Sequence, residues 1–114
     1  MSWFHRPSSQ SLEELEPSEA AAELVTASGL LVAVREQNEW TAGHAVGALH
    51  IPLGRLASRV AELPTDRAVF LICAHGNRSK VATQLLQRAG FERAVNVRGG
   101  TAAWMRAGLP MTRD

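Results

Sequence analysis

The chain has 114 residues, 46% of them hydrophobic and 20% charged, with a net charge of +1; that is enough for one packed core and is ordinary for a globular protein. No apolar run approaches the roughly 20 residues needed to span a bilayer, and residues 1–7 lack the apolar core of a signal peptide, so a cytoplasmic protein with no membrane partner is expected. One cysteine excludes an internal disulfide, and no basic cluster interleaved with aromatics points to nucleic acid.

Residues 1–10 are polar and read as a flexible segment ahead of one domain over 11–114, although Trp3 and Phe4 could pack on a partner. Residues 11–16 read as a short edge strand. Pro17 and Ser18 open a helix, with Ser18 as its cap and Glu19 at the positive end of its dipole. Ala21, Leu24 and Val25 form its inner face, and Gly29 ends it. Residues 30–34 are a continuous apolar run, as in a strand buried on both faces. Residues 39–42 form a helical turn closed by Gly43, and residues 48–50 a short strand ended by Pro52. Leu53, Leu56, Ala57, Val60 and Leu63 follow helical spacing up to Pro64. Residues 68–72 are a second buried strand. Val81, Leu85 and Ala89 predict an amphipathic helix over 78–89. Residues 94–97 are a last strand, Gly99 and Gly100 a tight turn, and 101–107 a short helix capped by Thr101. Strands alternate with helices, which predicts an α/β fold: a small parallel sheet of about five strands with helices on both faces.

Charge is distributed unevenly along the chain. Residues 1–39 carry seven acids against Arg6 and Arg35, whereas residues 55–114 carry ten bases against four acids. The second half would favour a small anionic substrate, unless its arginines are only solvated surface.

The second buried strand ends on the lone cysteine, and Cys73-Ala74-His75-Gly76-Asn77-Arg78-Ser79 follows. In open α/β sheets, ligands bind beyond the carboxyl ends of the strands. Gly76 can turn successive N–H groups inward, and the helix behind adds its positive end. Both favour a thiolate, the reactive form of cysteine, over the inert core thiol that a lone cysteine otherwise suggests. Arg78 either stabilises substrate charge or pairs with a carboxylate near the loop. His75 is a substrate contact or a rim residue, and Ser79 a hydroxyl that fixes the loop and can touch the sulfur. Trp40, His44 and Trp104 read as packing residues, and Arg98 and Lys80 as solvated surface.

The residues from Cys73 to Ser79 resemble the active-site loop of rhodanese-like sulfurtransferases, and the likeness extends over about 16–111. Val34-Arg35 with Glu39-Trp40, the turn from Gly43 to Ala48, Gly90-Phe91, Gly99-Gly100-Thr101-Ala102-Ala103-Trp104 and Gly108-Leu109-Pro110 match further parts of the family's pattern. The family's sulfurtransferases have six residues from cysteine to arginine, whereas the related dual-specificity phosphatases have seven. Cys73 to Arg78 is six, so the resemblance implies sulfur transfer rather than phosphate hydrolysis.

The implied reaction uses no metal or organic cofactor. A sulfane sulfur passes from thiosulfate or another donor to Cys73 as a persulfide, and then to cyanide, a thiol or an acceptor protein. Residues 74–79 bind the substrate. The alternative is a sulfur-delivery or regulatory binding module with weak or no thiosulfate turnover. The chain departs from the family at Ala33, where an aspartate usually braces the active loop, so a weaker brace and reduced turnover are expected. Ala45-Val46, in place of the family's frequent isoleucine-proline, should only loosen a turn.

Overall fold

The structure, a computed structural model, describes residues 11–114. The N-terminal segment 1–10, with Trp3 and Phe4, lies outside the described residues.

Five strands form one parallel sheet: β1 (Glu14–Leu15), β2 (Leu30–Ala33), β4 (Leu49–His50), β5 (Ala68–Ile72) and β6 (Arg93–Val97), in the order β1-β6-β5-β2-β4. The two apolar runs, β2 and β5, are neighbours near its centre, with Ala33 opposite Ile72. Their side chains alternate between two layers. Val32, Val69, Leu71 and Cys73 pack with Leu56 of α3 (Leu53–Arg59) and Leu86 of α4 (Asn77–Arg88). Leu31, Ala33, Phe70 and Ile72 pack with Ala20 of α1 (Pro17–Thr26) and Trp104 of α5 (Gly100–Arg106). Both faces of the sheet are thus covered, as an apolar parallel sheet requires. Because every strand runs the same way, all carboxyl ends lie along one edge, and β5 delivers Cys73 to the middle of it. No helix among the described residues is long and apolar enough to cross a membrane.

The remaining elements are α2 (Gln37–Ala42), a 3-10 turn Val60–Glu62 that finishes the third helical segment, and a two-stranded antiparallel pair. That pair joins β3 (His44–Ala45) to β7 (Met111–Thr112). It was not expected from sequence.

Three local expectations are corrected. The cap of α1 is Glu16, not Ser18: Glu16 and Glu19 form a reciprocal capping box, and Pro17 takes the first helical position, where its missing N–H costs nothing. Val25 is 80% exposed, so the inner face of α1 is Pro17 and Ala20, with Ala21 and Leu24 packed beside them. In α4 the expected stripe of Val81, Leu85 and Ala89 is displaced around the helix. Val81 and Ala89 are exposed, and the buried residues are Ser79, Ala82, Thr83 and Leu86. The helix starts directly behind Cys73, and Ser79 must face the sulfur, which sets the phase of every later turn.

Candidate functional site

Cys73 follows β5 on the α3/α4 side and is 1% exposed. The chain then reverses around its sulfur. Gly76 adopts φ +97°, a left-handed conformation that starts α4, and a Cβ there would stand 3.0 Å from the Gly99 nitrogen. The turn brings the Gly76 N–H to 3.1 Å from Cys73 Sγ and the Ser79 N–H to 3.3 Å, with the Ser79 hydroxyl also at 3.3 Å. Burial pushes the thiol pKa up. The Ser79 hydroxyl and the N–H groups of Ser79, Gly76 and His75 oppose it, and the balance lies below the ordinary value. The buried sulfur is therefore biased toward thiolate.

A second element clasps the loop from behind. The Cys73 carbonyl accepts from the Thr101 N–H at 2.7 Å and the Thr101 hydroxyl at 3.0 Å, and the Ala74 carbonyl accepts from the Ala102 N–H at 3.1 Å. The first turn of α5 thus spends its free donors on the loop backbone. Contact is close enough to exclude any side chain at Gly100, where a Cβ would stand 2.3 Å from the Cys73 carbonyl oxygen. Thr101 is consequently not the helix cap expected from sequence. Gly99, at φ +74°, holds that position, and the Thr101 hydroxyl bonds the loop instead. Buried Asn96 of β6 adds a third support, donating to the Gly76 carbonyl at 3.4 Å and to Glu14 at 2.8 Å.

Of the two roles open for Arg78, the geometry supplies the ion pair. Its Nη1 and Nη2 donate to the two carboxylate oxygens of Glu39 at 2.7 and 2.9 Å. The Arg78 guanidinium holds the Glu39 carboxyl down at about 2. His75 and Asn77 are exposed on the loop rim, and Ala74 is half-buried. Trp40 stacks between His44, at 3.4 Å between ring centroids, and His50, at 4.6 Å. Buried His44 and buried Trp104 are packing residues, as read from sequence.

Part of the positive charge of the second half is spent on ion pairs. Arg93 pairs with Glu13 and Glu23, Arg98 with Glu14 and Glu16, and Lys80 stands 3.9 Å from Glu14. All of these acids come from the acidic N-terminal segment, so folding cancels much of the asymmetry seen along the chain.

A family model, the rhodanese-like domain, matches residues 16–107. The chain belongs to the rhodanese-like domain family. It is 40% identical over 82 residues to a protein of Allochromatium vinosum named sulfurtransferase, covering 72% of this chain and 77% of that one. It is 37% identical over 71 residues to YrkF of Bacillus subtilis, whose name assigns it provisionally to sulfur carriage; the match covers 62% of this chain and 38% of YrkF. Among solved structures, a rhodanese-related protein from Thermoplasma volcanium superposes with a TM-score of 0.81 at 29% identity, over 90% of this chain and 99% of the other. The structure brings three of the residues singled out from sequence, Cys73, Gly76 and Ser79, into contact in this rhodanese-like loop. Sequence reasoning missed Asn96 and Thr101 as supports and Glu39 as the partner of Arg78. Glu39 was visible as part of the resemblance, but its partner lies 39 residues away.

Proposed function

We propose that the protein is a sulfurtransferase that carries a sulfane sulfur on Cys73. The Cys73 thiolate attacks the outer sulfur of thiosulfate. One S–S bond forms, the S–S bond to the sulfonate breaks, and sulfite leaves with the electron pair. The persulfide anion remains on Cys73. Cyanide or a thiolate then attacks its outer sulfur, forming thiocyanate or a new persulfide and returning the Cys73 thiolate. Within the loop 74–79, the N–H groups of His75, Gly76 and Ser79, with the Ser79 hydroxyl, stabilise the negative charge of the sulfur in both steps. The observation that carries this reading is the convergence of three donors at 3.1–3.3 Å on one buried sulfur.

Intact-protein mass spectrometry after brief exposure to thiosulfate tests it. The expected result is a gain of one sulfur atom, removed by cyanide and absent in Cys73→Ser. No gain on a folded protein would remove thiosulfate as donor, and no gain from a low-molecular-weight persulfide would overturn sulfur transfer itself. Robust Cys73-dependent hydrolysis of an aryl phosphate would overturn it in favour of a phosphatase.

The likeness to YrkF supports a second reading, in which the same persulfide is delivered to a protein thiol. It is distinguished by an acceptor protein that unloads Cys73 faster than cyanide does.

A further inference from the structure

A cavity of about 510 Å³ opens on the α5 side of the sheet, and Cys73 does not line it. Its volume falls in the range of pockets that hold small molecules, roughly 300–1,000 Å³. The walls come from separate parts of the chain: Arg35 just after β2, Gly43 just before β3, Thr101 and Met105 of α5, and Met111 and Arg113 in and after β7. The β3–β7 pair brings the last of these into place. Ala45 stands opposite Met111 and His44 opposite Thr112. Ahead of β7, the Pro110 carbonyl accepts from the Val46 N–H and from Trp104 Nε1, both at 3.1 Å.

Two guanidinium groups border this cavity, and among the described residues no carboxylate does. Arg113 is exposed, whereas Arg35 is only 8% exposed. Arg35 Nη1 donates to the Gly43 carbonyl, Nη2 has no partner among the described residues, and Nε is buried without one. Buried guanidinium groups are ordinarily paired, because an uncompensated buried charge is costly. The other charged and titratable groups nearby do not supply the pair. Glu39 is within electrostatic reach of Arg35, but both its oxygens accept from Arg78. His44 is bonded through Nδ1 to the Trp40 carbonyl. Arg106 adds a further exposed cation, and Asp114 is exposed and screened by water. Ala33, two positions before Arg35 on the same face of the sheet, is 1% exposed and offers no charge.

The rest of the wall is apolar and adaptable. Met105 and Met111 are flexible thioether side chains that can pack around an irregular shape. A guanidinium fork matches a carboxylate with two parallel hydrogen bonds. We propose that this cavity binds a small carboxylate with a short apolar chain, its carboxylate on Arg35 and Arg113 and its chain against Met105 and Met111. The site is separate from the sulfur cradle and does not depend on sulfur transfer. The two adjoin at Thr101, which lines the cavity and donates its N–H and hydroxyl to the Cys73 carbonyl.

The test is a titration of the whole chain with hexanoate at constant ionic strength, followed by backbone amide NMR. The expected result is a saturable shift of the Gly43, Thr101, Thr112 and Arg113 amides, with a Kd on the order of 1 mM for a ligand of this size. Acetate, which lacks the chain, and hexanol, which lacks the charge, should each bind about tenfold more weakly. Arg113→Gln should weaken hexanoate about tenfold, and Arg35→Gln likewise. Because Arg35 also holds the Gly43 carbonyl, Arg113→Gln decides alone if the Arg35 variant does not fold. The proposal is overturned by the absence of a saturable shift, by acetate or hexanol binding as tightly as hexanoate, or by an Arg113→Gln protein with the parent Kd. Shifts confined to the His75–Ser79 amides would overturn it in favour of the sulfur loop. A short apolar peptide with a free C-terminal carboxylate that binds more tightly than hexanoate would overturn the small molecule in favour of a peptide end.

Discussion

Glu39→Gln separates the charge of the Glu39–Arg78 pair from its shape. The carboxyl sits at about 2 against an ordinary 4.5, which sets an upper limit of about 3 kcal/mol on what ionised Glu39 adds to folding stability at neutral pH. Glu39 is 28% exposed and Arg78 34%, so solvent screening reduces this to about 1–2 kcal/mol. Because the carboxyl pKa is depressed in the folded state, the contribution is complete above about 4.5 and is lost as the pH falls through about 2. Urea denaturation of both proteins between pH 7 and pH 2 is the assay. The parent should be more stable by about 1–2 kcal/mol at pH 7, and the gap should close with falling pH. No gap at pH 7, or one of constant size across the range, would refute the assignment of Arg78 as a residue neutralised by Glu39.

Ser79→Ala removes the hydroxyl that stands 3.3 Å from the sulfur; the Cys73 pKa should rise, because a hydrogen bond that favours the thiolate is lost, measured by alkylation against pH, and loading at pH 7 should slow. Gly100→Ala places a Cβ 2.3 Å from the Cys73 carbonyl oxygen at φ +62°, and thermal unfolding should show a loss above about 2 kcal/mol; a change below about 0.5 kcal/mol would contradict the close approach. Thr101→Val keeps the shape but removes one of two donors to the Cys73 carbonyl, so urea denaturation should show a loss of about 1 kcal/mol.

The parts of this fold that were legible in sequence are those set by local rules. β2 and β5 are apolar on both faces, and only a central parallel strand buries both, so their place near the middle could be read directly. The loop was legible because a strand, a cysteine, a glycine and a helix start follow in order. Other features depend on partners distant in the chain. The inner face of α4 is made of Ser79, Ala82 and Thr83 as well as Leu86; small polar side chains are buried there because the sulfur and the sheet lie against them, and hydropathy does not register that. The capping role of Glu16 was missed because Ser18 is the more usual cap residue. The charge asymmetry misled because residues 82 and 84 apart, Arg98 with Glu16 and Glu14, meet only when β1 joins β6.

The geometry also bears on why this loop suits sulfur rather than phosphate. A phosphate ester is attacked at its tetrahedral centre, so its oxygens must themselves be cradled by the loop N–H groups, whereas a sulfane donor is attacked at its outer sulfur. Here the Gly76 and Ser79 N–H groups both converge on Sγ. The Cys73 and Ala74 carbonyls are turned the other way and held by the first turn of α5. Arg78, which could have served as a phosphate fork, is engaged at both terminal nitrogens by Glu39. What is left is a cradle around one polarisable atom, which suits the single negative charge that the proposed cycle places on Cys73 before it accepts a second sulfur and after it gives one up. The six-residue spacing from Cys73 to Arg78 favours the same chemistry on separate grounds, since it concerns the length of the loop and not the direction of its donors.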